Sequence, residues 1–388
     1  MLPPNGPSAS RPQMMNRPIP ASSGAAIASL VLGILSIATC LTPLGILAVI
    51  FGHVASSRVK RSGGALPGGG MATAGLIMGY LTSVVTAFFV SVMIYGMIDE
   101  VKDRGEPDEL FTLPAMDSAW LPDLDEGRLL EGSGIRVHDL QVSGTGAAGT
   151  TRLRVLIPAG AHAEGSLPCV LVAPAGSDLL SGMDLDDGDY LDESRPYAEA
   201  GMVVVSYSID GMIEDDDEKA AYRAFREAGA GVANGKVAFA FASQKLRLVN
   251  AAKIFSAGHS SAGTLSLLLA SHLPGLAGAV AYAPVSDLGA HFETLIANPF
   301  SVVRYPGIEV FVQRASPLTH AARVQVPVFL FGARDDDKVG TQDWRDFARA
   351  VEEAGAIAQV KTVPSGGHYL PMIEEGIPAA ITWIQEKL

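Results

Sequence analysis

The sequence predicts an α/β fold, a mostly parallel central sheet with helices on both faces, preceded by two membrane-spanning helices. Three observations carry this expectation. Short β-branched apolar runs alternate with helical segments from about residue 131 to the C-terminus, the pattern of a parallel sheet covered on both sides. Two long uncharged stretches occupy the first hundred residues. Hydrophobic residues make up 48% of the 388 and charged ones 18%, and a few membrane segments account for the mean hydropathy of +0.27.

Residues 1–24 are rich in Pro, Ser, Asn and Met, with Arg11 and Arg17 the only charges. That composition cannot bury a core and predicts a disordered tail. From Ala25 to Phe51 there is no charged residue, and none from Ser62 to Ile98. Each stretch is long enough to cross a hydrocarbon core about 30 Å thick, with a kink expected at Pro43 and Gly45 in the first. The two-span module covers 25–98. Between the spans "GHVASSRVKRSGG" carries Arg58, Lys60 and Arg61, and "DEVKDRGEPDE" after the second is mainly acidic. The positive-inside rule then places the loop in the cytoplasm, with the tail and the large C-terminal part outside. Lipid is the partner implied. A net charge of −13 argues against nucleic acid.

Residues 99–130 mix acids with Pro107, Pro114 and Pro122 and predict an extended linker. The globular domain, 131–388, opens on "IRVHDLQV" and "TRLRVLIPAG", a hairpin around a Gly-rich turn. The runs "CVLVAPAG", "MVVVSYSIDG", "KIFSAG", "AGAVAYAPVSD", "VPVFLFGARDD" and "AQVKTVPSGGH" read as strands buried on both faces. Helical segments lie between them, among them "YLDESRPYAEA", "NGKVAFAFASQKLRLVN", "SAGTLSLLLASH" and "TQDWRDFARAVEEAG". Cys40 and Cys169 suggest neither a metal site nor a disulfide framework, and no cofactor is implied.

The chemistry centres on "FSAGHSSAGTLSLLLA", where an apolar strand meets an apolar helix. A nucleophile elbow needs that context, with small residues flanking a strained central serine. Centred on Ser260, the flanks are Gly258 and Ala262; centred on Ser261, His259 falls where the crossing is tightest. Ser260 is therefore the nucleophile, and Ser261 offers its backbone N–H to an oxyanion. The plainer reading is a pair of helix-capping serines. Against it stand Asp335, at the end of the strand in "FGARDDDKV", and His368, in the glycine-flanked "VPSGGHYL". The order Ser260, Asp335, His368 is that of α/β-hydrolases, although Asp336 and Asp337 are alternative acids. A second oxyanion donor is expected from Ala175, Gly176 or Ser177, with Gly176 allowing the closest approach.

With those motifs in place, residues from about 134 to 388 resemble the stand-alone catalytic domains of the prolyl-oligopeptidase-like and related esterase group. The likeness rests on "VNAAKIFSAGHSSAG", "YAPVSD", "ASPLTHAARVQVPVFLFGARDDDKV" and "VPSGGHYL". It implies an α/β-hydrolase fold with the triad on Ser260, Asp335 and His368. The usual His-Gly-Gly of the oxyanion loop is replaced by "APAGSD", and no β-propeller precedes the domain. Both departures tilt the reading towards an esterase-like hydrolase over a dedicated peptidase. With the N-terminal spans this gives a membrane-anchored serine hydrolase of carboxylic esters or small amides, with an oligopeptidase or a non-catalytic scaffold as alternatives. Residues 25–97 resemble a small bacterial membrane domain of unknown function. That likeness implies anchoring, here in a bacterial inner membrane with the hydrolase extracytoplasmic.

Two features remain. In "DLDDGDYLDES", Asp184, Asp186, Asp187 and Asp189 lack the spacing of a calcium loop and read as a solvated face. In the insert after "YAPVSD", Phe292, Phe300 and Tyr305 are candidates for an acyl pocket, or else pack the insert.

Overall fold

A computed structural model describes residues 23–39, 42–63, 65–102, 120–145, 148–185, 190–298 and 300–388. Most of the expected tail and linker, together with Cys40, Asp186, Asp187 and Asp189, lie outside the described residues. The chain divides into two compact units, Met1–Tyr95 and Gly96–Leu388.

The first unit holds α1 (Gly24–Thr39), α2 (Thr42–Arg61) and the start of α3 (Gly69–Lys102). The stretch expected as one kinked span is therefore two helices. Pro43 sits one residue inside α2, where its missing N–H costs nothing; further into a continuous helix it would remove a bond and clash with the preceding turn. Among the described residues one helix, over Gly69–Ile94, is long and apolar enough to cross a membrane. Gly45 serves close packing rather than a kink, because a Cβ there would strike Thr82 Oγ1. Small and hydroxyl residues fill the interior: Ala26, Ala48, Ala55, Ala72, Ser29 and Ser36 are buried. Large ones face outward, Ile77, Val84 and Phe88 each more than 60% exposed.

The second unit is a nine-stranded sheet. Its strands are β1 (Arg128–Leu129), β2 (Arg136–Thr145), β3 (Ala148–Ile157), β4 (Leu167–Val172), β5 (Val203–Tyr207), β6 (Val249–His259), β7 (Gly278–Tyr282), β8 (Val328–Ala333) and β9 (Ala358–Val363). They lie in the order β1-β2-β3-β5-β4-β6-β7-β8-β9. The first three strands and the β3–β5 pairing are antiparallel; from β5 to β9 every neighbouring pair is parallel. Successive residues of the central strands feed opposite layers. Cys169 and Leu171 pack with α6 (Val232–Gln244), α7 (Ser261–His272) and α12 (Thr341–Glu353). Val170 and Val172 pack with α4 (Tyr190–Glu199) and α13 (Ile377–Gln385). The unbroken apolar runs of the sequence follow from this two-sided burial.

The expected linker ends early. Leu121 is 3% exposed in the larger core, and Asp125 meets His138 Nδ1 at 2.8 Å. The domain thus begins before residue 131. The sheet reverses direction of winding at β4, with β5 on one side and β6 on the other. In open α/β sheets the crevice at that switch, beyond the strand C-termini, is where ligands bind.

Candidate active site

Four loops leave the C-terminal ends of β4, β6, β8 and β9, and each carries a residue singled out by the sequence. At β6 the strand runs into α7 through Ser260, whose φ of 53° and ψ of −118° lie outside the ordinary regions for an L-residue. Holding it there costs about 1–3 kcal/mol, which the surroundings must offset. They do so by fixing the turn: the Ser260 N–H donates to the Tyr282 carbonyl at 2.8 Å and its carbonyl accepts from the Thr264 N–H at 3.0 Å. A Cβ at Gly258 would strike the Ala262 carbonyl, so the flanking glycine is obligatory. Ser260 occupies the apex, and Ser261 is the first residue of the helix.

The imidazole of His368 comes from the loop after β9. Its Nδ1 lies 2.7 Å from Asp336 Oδ2. A carboxylate only accepts, so Nδ1 carries the hydrogen and Nε2 is left as a base. Asp336, not Asp335, is thus the partner of the histidine, which corrects the sequence assignment. The two neighbours divide the work. The Asp336 side chain is 2% exposed, and its Oδ1 accepts the Lys338 and Val339 N–H groups at 2.9 and 3.0 Å. Burial pushes its carboxyl up, but the bonds from His368, Val339 and Lys338 outweigh burial and hold it below the usual carboxylate range. Asp335 faces out and accepts the Gly367 and Gly366 N–H groups at 3.0 and 3.1 Å. Those bonds lower its carboxyl also. It shapes the loop bearing His368 without touching the ring.

His259, which the sequence treated only as a flank, holds the same loop. Its ring is 4.6 Å from that of His368, and its Nε2 meets the His368 carbonyl at 2.9 Å. That carbonyl only accepts, so Nε2–H donates. Burial, then the neighbouring His368, lower its pKa to about 4. His259 precedes Ser260 in the chain, so this contact draws the histidine loop to the elbow. Among the described hydrogen bonds, none joins Ser260 Oγ to His368.

The loop after β4 reaches the other side of the elbow. The N–H groups of Gly176 and Ser177 each lie 3.2 Å from Ser261 Oγ. Gly176 has a φ of 100°, open to glycine at no steric cost. The two expected oxyanion donors are thus directed at the side chain of Ser261, whereas the sequence argument used only its backbone. Beyond them runs a cleft of about 480 Å³ along Asp178, Ser181, Met183 and Ile213. A neighbouring one of about 490 Å³ is bordered by Arg152, Asp184, Asp210, Glu214 and Asp217.

The insert between β7 and β8 contains α8 (Leu288–His291), α9 (Glu293–Ile296), α10 (Ser301–Arg304) and α11 (Ile308–Ala315). Its aromatics do not border either cleft. Tyr305, 8% exposed, stacks edge-on against Tyr222 at 5.2 Å and pins the insert to α5 (Glu218–Glu227). Phe292 packs on the larger core, and Phe300 is 58% exposed. Phe292 and Tyr305 thus fit the second of the two sequence readings, packing of the insert, because an aromatic between two helices gains from burial there; Phe300 faces outward. Arg304 and Glu218 pair across the same seam.

Comparison with known families agrees with this arrangement. The profile of the prolyl oligopeptidase family matches residues 192–387, just over half of the chain. The chain belongs to that family. As a prolyl oligopeptidase family member it is a serine hydrolase on an α/β-hydrolase fold. Residues 25–89 match a domain of unknown function, DUF4190. No curated protein matches the chain. Among solved structures it is similar to acetyl xylan esterase 1 from Thermoanaerobacterium sp. JW/SL YS485, with a TM-score of 0.51 and 17% identity over 72% of this chain and 93% of that one. An acetyl xylan esterase from Paenibacillus sp. R4 gives 0.50 and 17%, over 73% and 92%. A puromycin-hydrolyzing peptidase of Mycobacterium tuberculosis gives 0.51 and 21% over 66% of this chain, which spans only 39% of that peptidase. Identities this low carry the fold alone.

Proposed function

We propose that the protein is a membrane-anchored hydrolase of carboxylic esters or small amides, working through an acyl-enzyme on Ser260. The observation that carries this is the Asp336–His368 pair set beside an elbow whose apex is Ser260. Ser260 Oγ attacks the acyl carbon while His368 Nε2 takes its proton; Asp336 fixes the tautomer and stabilises the imidazolium. The oxyanion is met by the Ser261 N–H and by donors of the 176–177 loop, each worth about 3–4 kcal/mol when such a donor is removed. His368 then protonates the leaving group, and water releases the acid by the same steps in reverse.

Substrate size follows from the open cleft beside Gly176 and Ser177. Its neighbour is bordered by Asp184, Asp210, Glu214 and Asp217, a field that favours neutral or cationic substrates over anionic ones. Membrane anchoring is supported by the apolar Gly69–Ile94 helix and by the outward-facing large side chains around it. The likeness in fold to a puromycin-hydrolyzing peptidase supports a second reading, an amidase acting on short peptides.

The test is fluorophosphonate labelling of the full chain in detergent, followed by a panel of matched esters and blocked dipeptides. Labelling of the wild type, none of Ser260→Ala, and faster turnover of cationic than anionic esters are expected. Equal labelling of both proteins would overturn the assignment of Ser260. Turnover of dipeptide amides alone would select the second reading.

A further inference from the structure

We infer that α1 and α2 enter the bilayer as one antiparallel hairpin, so that the N-terminal tail and the basic loop emerge on the same membrane face. The inference rests on the membrane reading above and changes its topology. A two-span module puts the tail and the basic loop on opposite sides. The helix contacts do not allow that.

At one end of the unit the Ser23 N–H donates to the Pro67 carbonyl at 3.3 Å, and a Cβ on Gly68 would lie 3.1 Å from that of Ala26. The start of α1 is thus beside the loop that follows Arg58, Lys60 and Arg61. Along the bundle, Ser29 lies against Gly75, Gly33 against Met78, and Ser36 Oγ is 3.3 Å from Thr82 Oγ1. Both numbers rise together, so α1 runs parallel to α3. The pairs for α2 run the other way: Gly52 lies against Leu76, Val49 against Gly79 and Gly45 against Thr82. Between α1 and α2, Ser29 Oγ donates to the Ala48 carbonyl at 2.7 Å.

A hairpin can live in lipid because its polar atoms are satisfied internally. Ser29 and Ser36 donate to helix carbonyls, and both are buried. Glycines at the crossings let the helices touch. With 16 residues, α1 rises about 24 Å, most of the way through a core of about 30 Å. No charge lies between Ser23 and Phe51 or between Ser62 and Ile98.

The arrangement removes a conflict in charge. In a two-span module the basic loop competes with Arg11 and Arg17 across the membrane. In the hairpin all five cations share one face, opposite the acidic segment that begins at Asp99 in the last turn of α3. The positive-inside rule then assigns that face to the cytoplasm and the end of α3 to the outside.

The test uses the full chain carrying Cys40→Ala; Cys169 is fully buried and silent toward reagents. Ser23→Cys, Ala65→Cys and Glu386→Cys are each exposed to a membrane-impermeant maleimide in intact cells and in inverted vesicles. Ser23→Cys and Ala65→Cys should label only in inverted vesicles, and Glu386→Cys only in intact cells. In parallel, an N-terminal epitope should resist external protease on intact cells. Labelling of Ser23→Cys from the side opposite Ala65→Cys overturns the hairpin, as does removal of the epitope from intact cells in which Ala65→Cys stays protected. Labelling of both cysteines only in intact cells keeps the hairpin and reverses its orientation. Recovery of the whole chain in the soluble fraction would instead sink the membrane reading on which it rests.

Discussion

The two units of this chain bury opposite kinds of residue. In the first, alanine, glycine and serine lie inside while isoleucine, valine and phenylalanine face out. In the second, Phe329, Trp344 and Leu171 are buried. Apolar surface seeks whatever is not water. On the membrane reading proposed above, the first unit is surrounded by hydrocarbon, where hiding large side chains gains nothing and bringing backbones together gains contact. On that reading the same alphabet, set against two solvents, gives two opposite interiors. Polar atoms then have different duties: a hydroxyl of the first unit, Ser29, ties helix to helix, and one of the second, Ser261, ties the loop after β4 to the elbow.

Substitutions can break or sharpen this contrast. The largest effect should fall on the strand ends. Asp336→Asn is expected to lower kcat by about 10⁴-fold through the wrong imidazole tautomer, with little change in Tm. Asp335→Asn, whose single amide oxygen can still accept from one of Gly366 and Gly367, should lose about tenfold or less. Steady-state rates on one ester decide this, and equal losses would return Asp335 to the triad. Next comes the sheet core. Leu171→Ala on β4, fully buried, should cost about 2–5 kcal/mol in denaturant unfolding of the hydrolase unit.

A pH dependence follows from His259. The unfolded chain binds a proton there below its ordinary 6.5, whereas the folded protein binds one only below about 4. Its contribution to stability is complete above pH 6.5 and is lost as the pH falls from 6.5 to 4. The loss amounts to about 3 kcal/mol. His259→Gln, which keeps a donor for the His368 carbonyl, should flatten that part of the stability profile. An unchanged slope would remove His259 as its source.

The first unit should respond in the reverse sense to the core. Gly79→Leu, enlarging a residue packed against Gly45 and Val49, should destabilise the helix bundle by about 1–3 kcal/mol in a detergent titration. Smallest of all, Ser29→Ala removes one bond to the Ala48 carbonyl and should cost about 0.6 kcal/mol. If Gly79→Leu stabilised the unit, the inside-out packing would have to be abandoned.

Much of this was legible in the residues. The elbow was readable because Gly258 and Ala262 leave room only for a serine at 260, and each expected strand run lies on a strand. The acid was not, because Asp335 and Asp336 are adjacent and only the turn decides which one faces the imidazole. The uncharged run 25–51 showed length but not the break before Pro43. Tyr305 and Phe292 looked like pocket residues because aromatic composition does not say which surface a side chain covers. The helix at 377–385 was overlooked although Ile377, Ala380 and Ile384 keep helical spacing. A histidine directly before the elbow serine, flanked by small residues, was the available signal for His259.

The amides of Gly176 and Ser177 are already occupied by the hydroxyl of Ser261. A carbonyl oxygen arriving there displaces one neutral acceptor with another and gains almost nothing. An oxygen bearing negative charge gains considerably, since ionic acceptors form bonds about twice as strong. Under the proposed mechanism such a loop would discriminate by charge, passing over the resting ligand and gripping what the reaction makes of it.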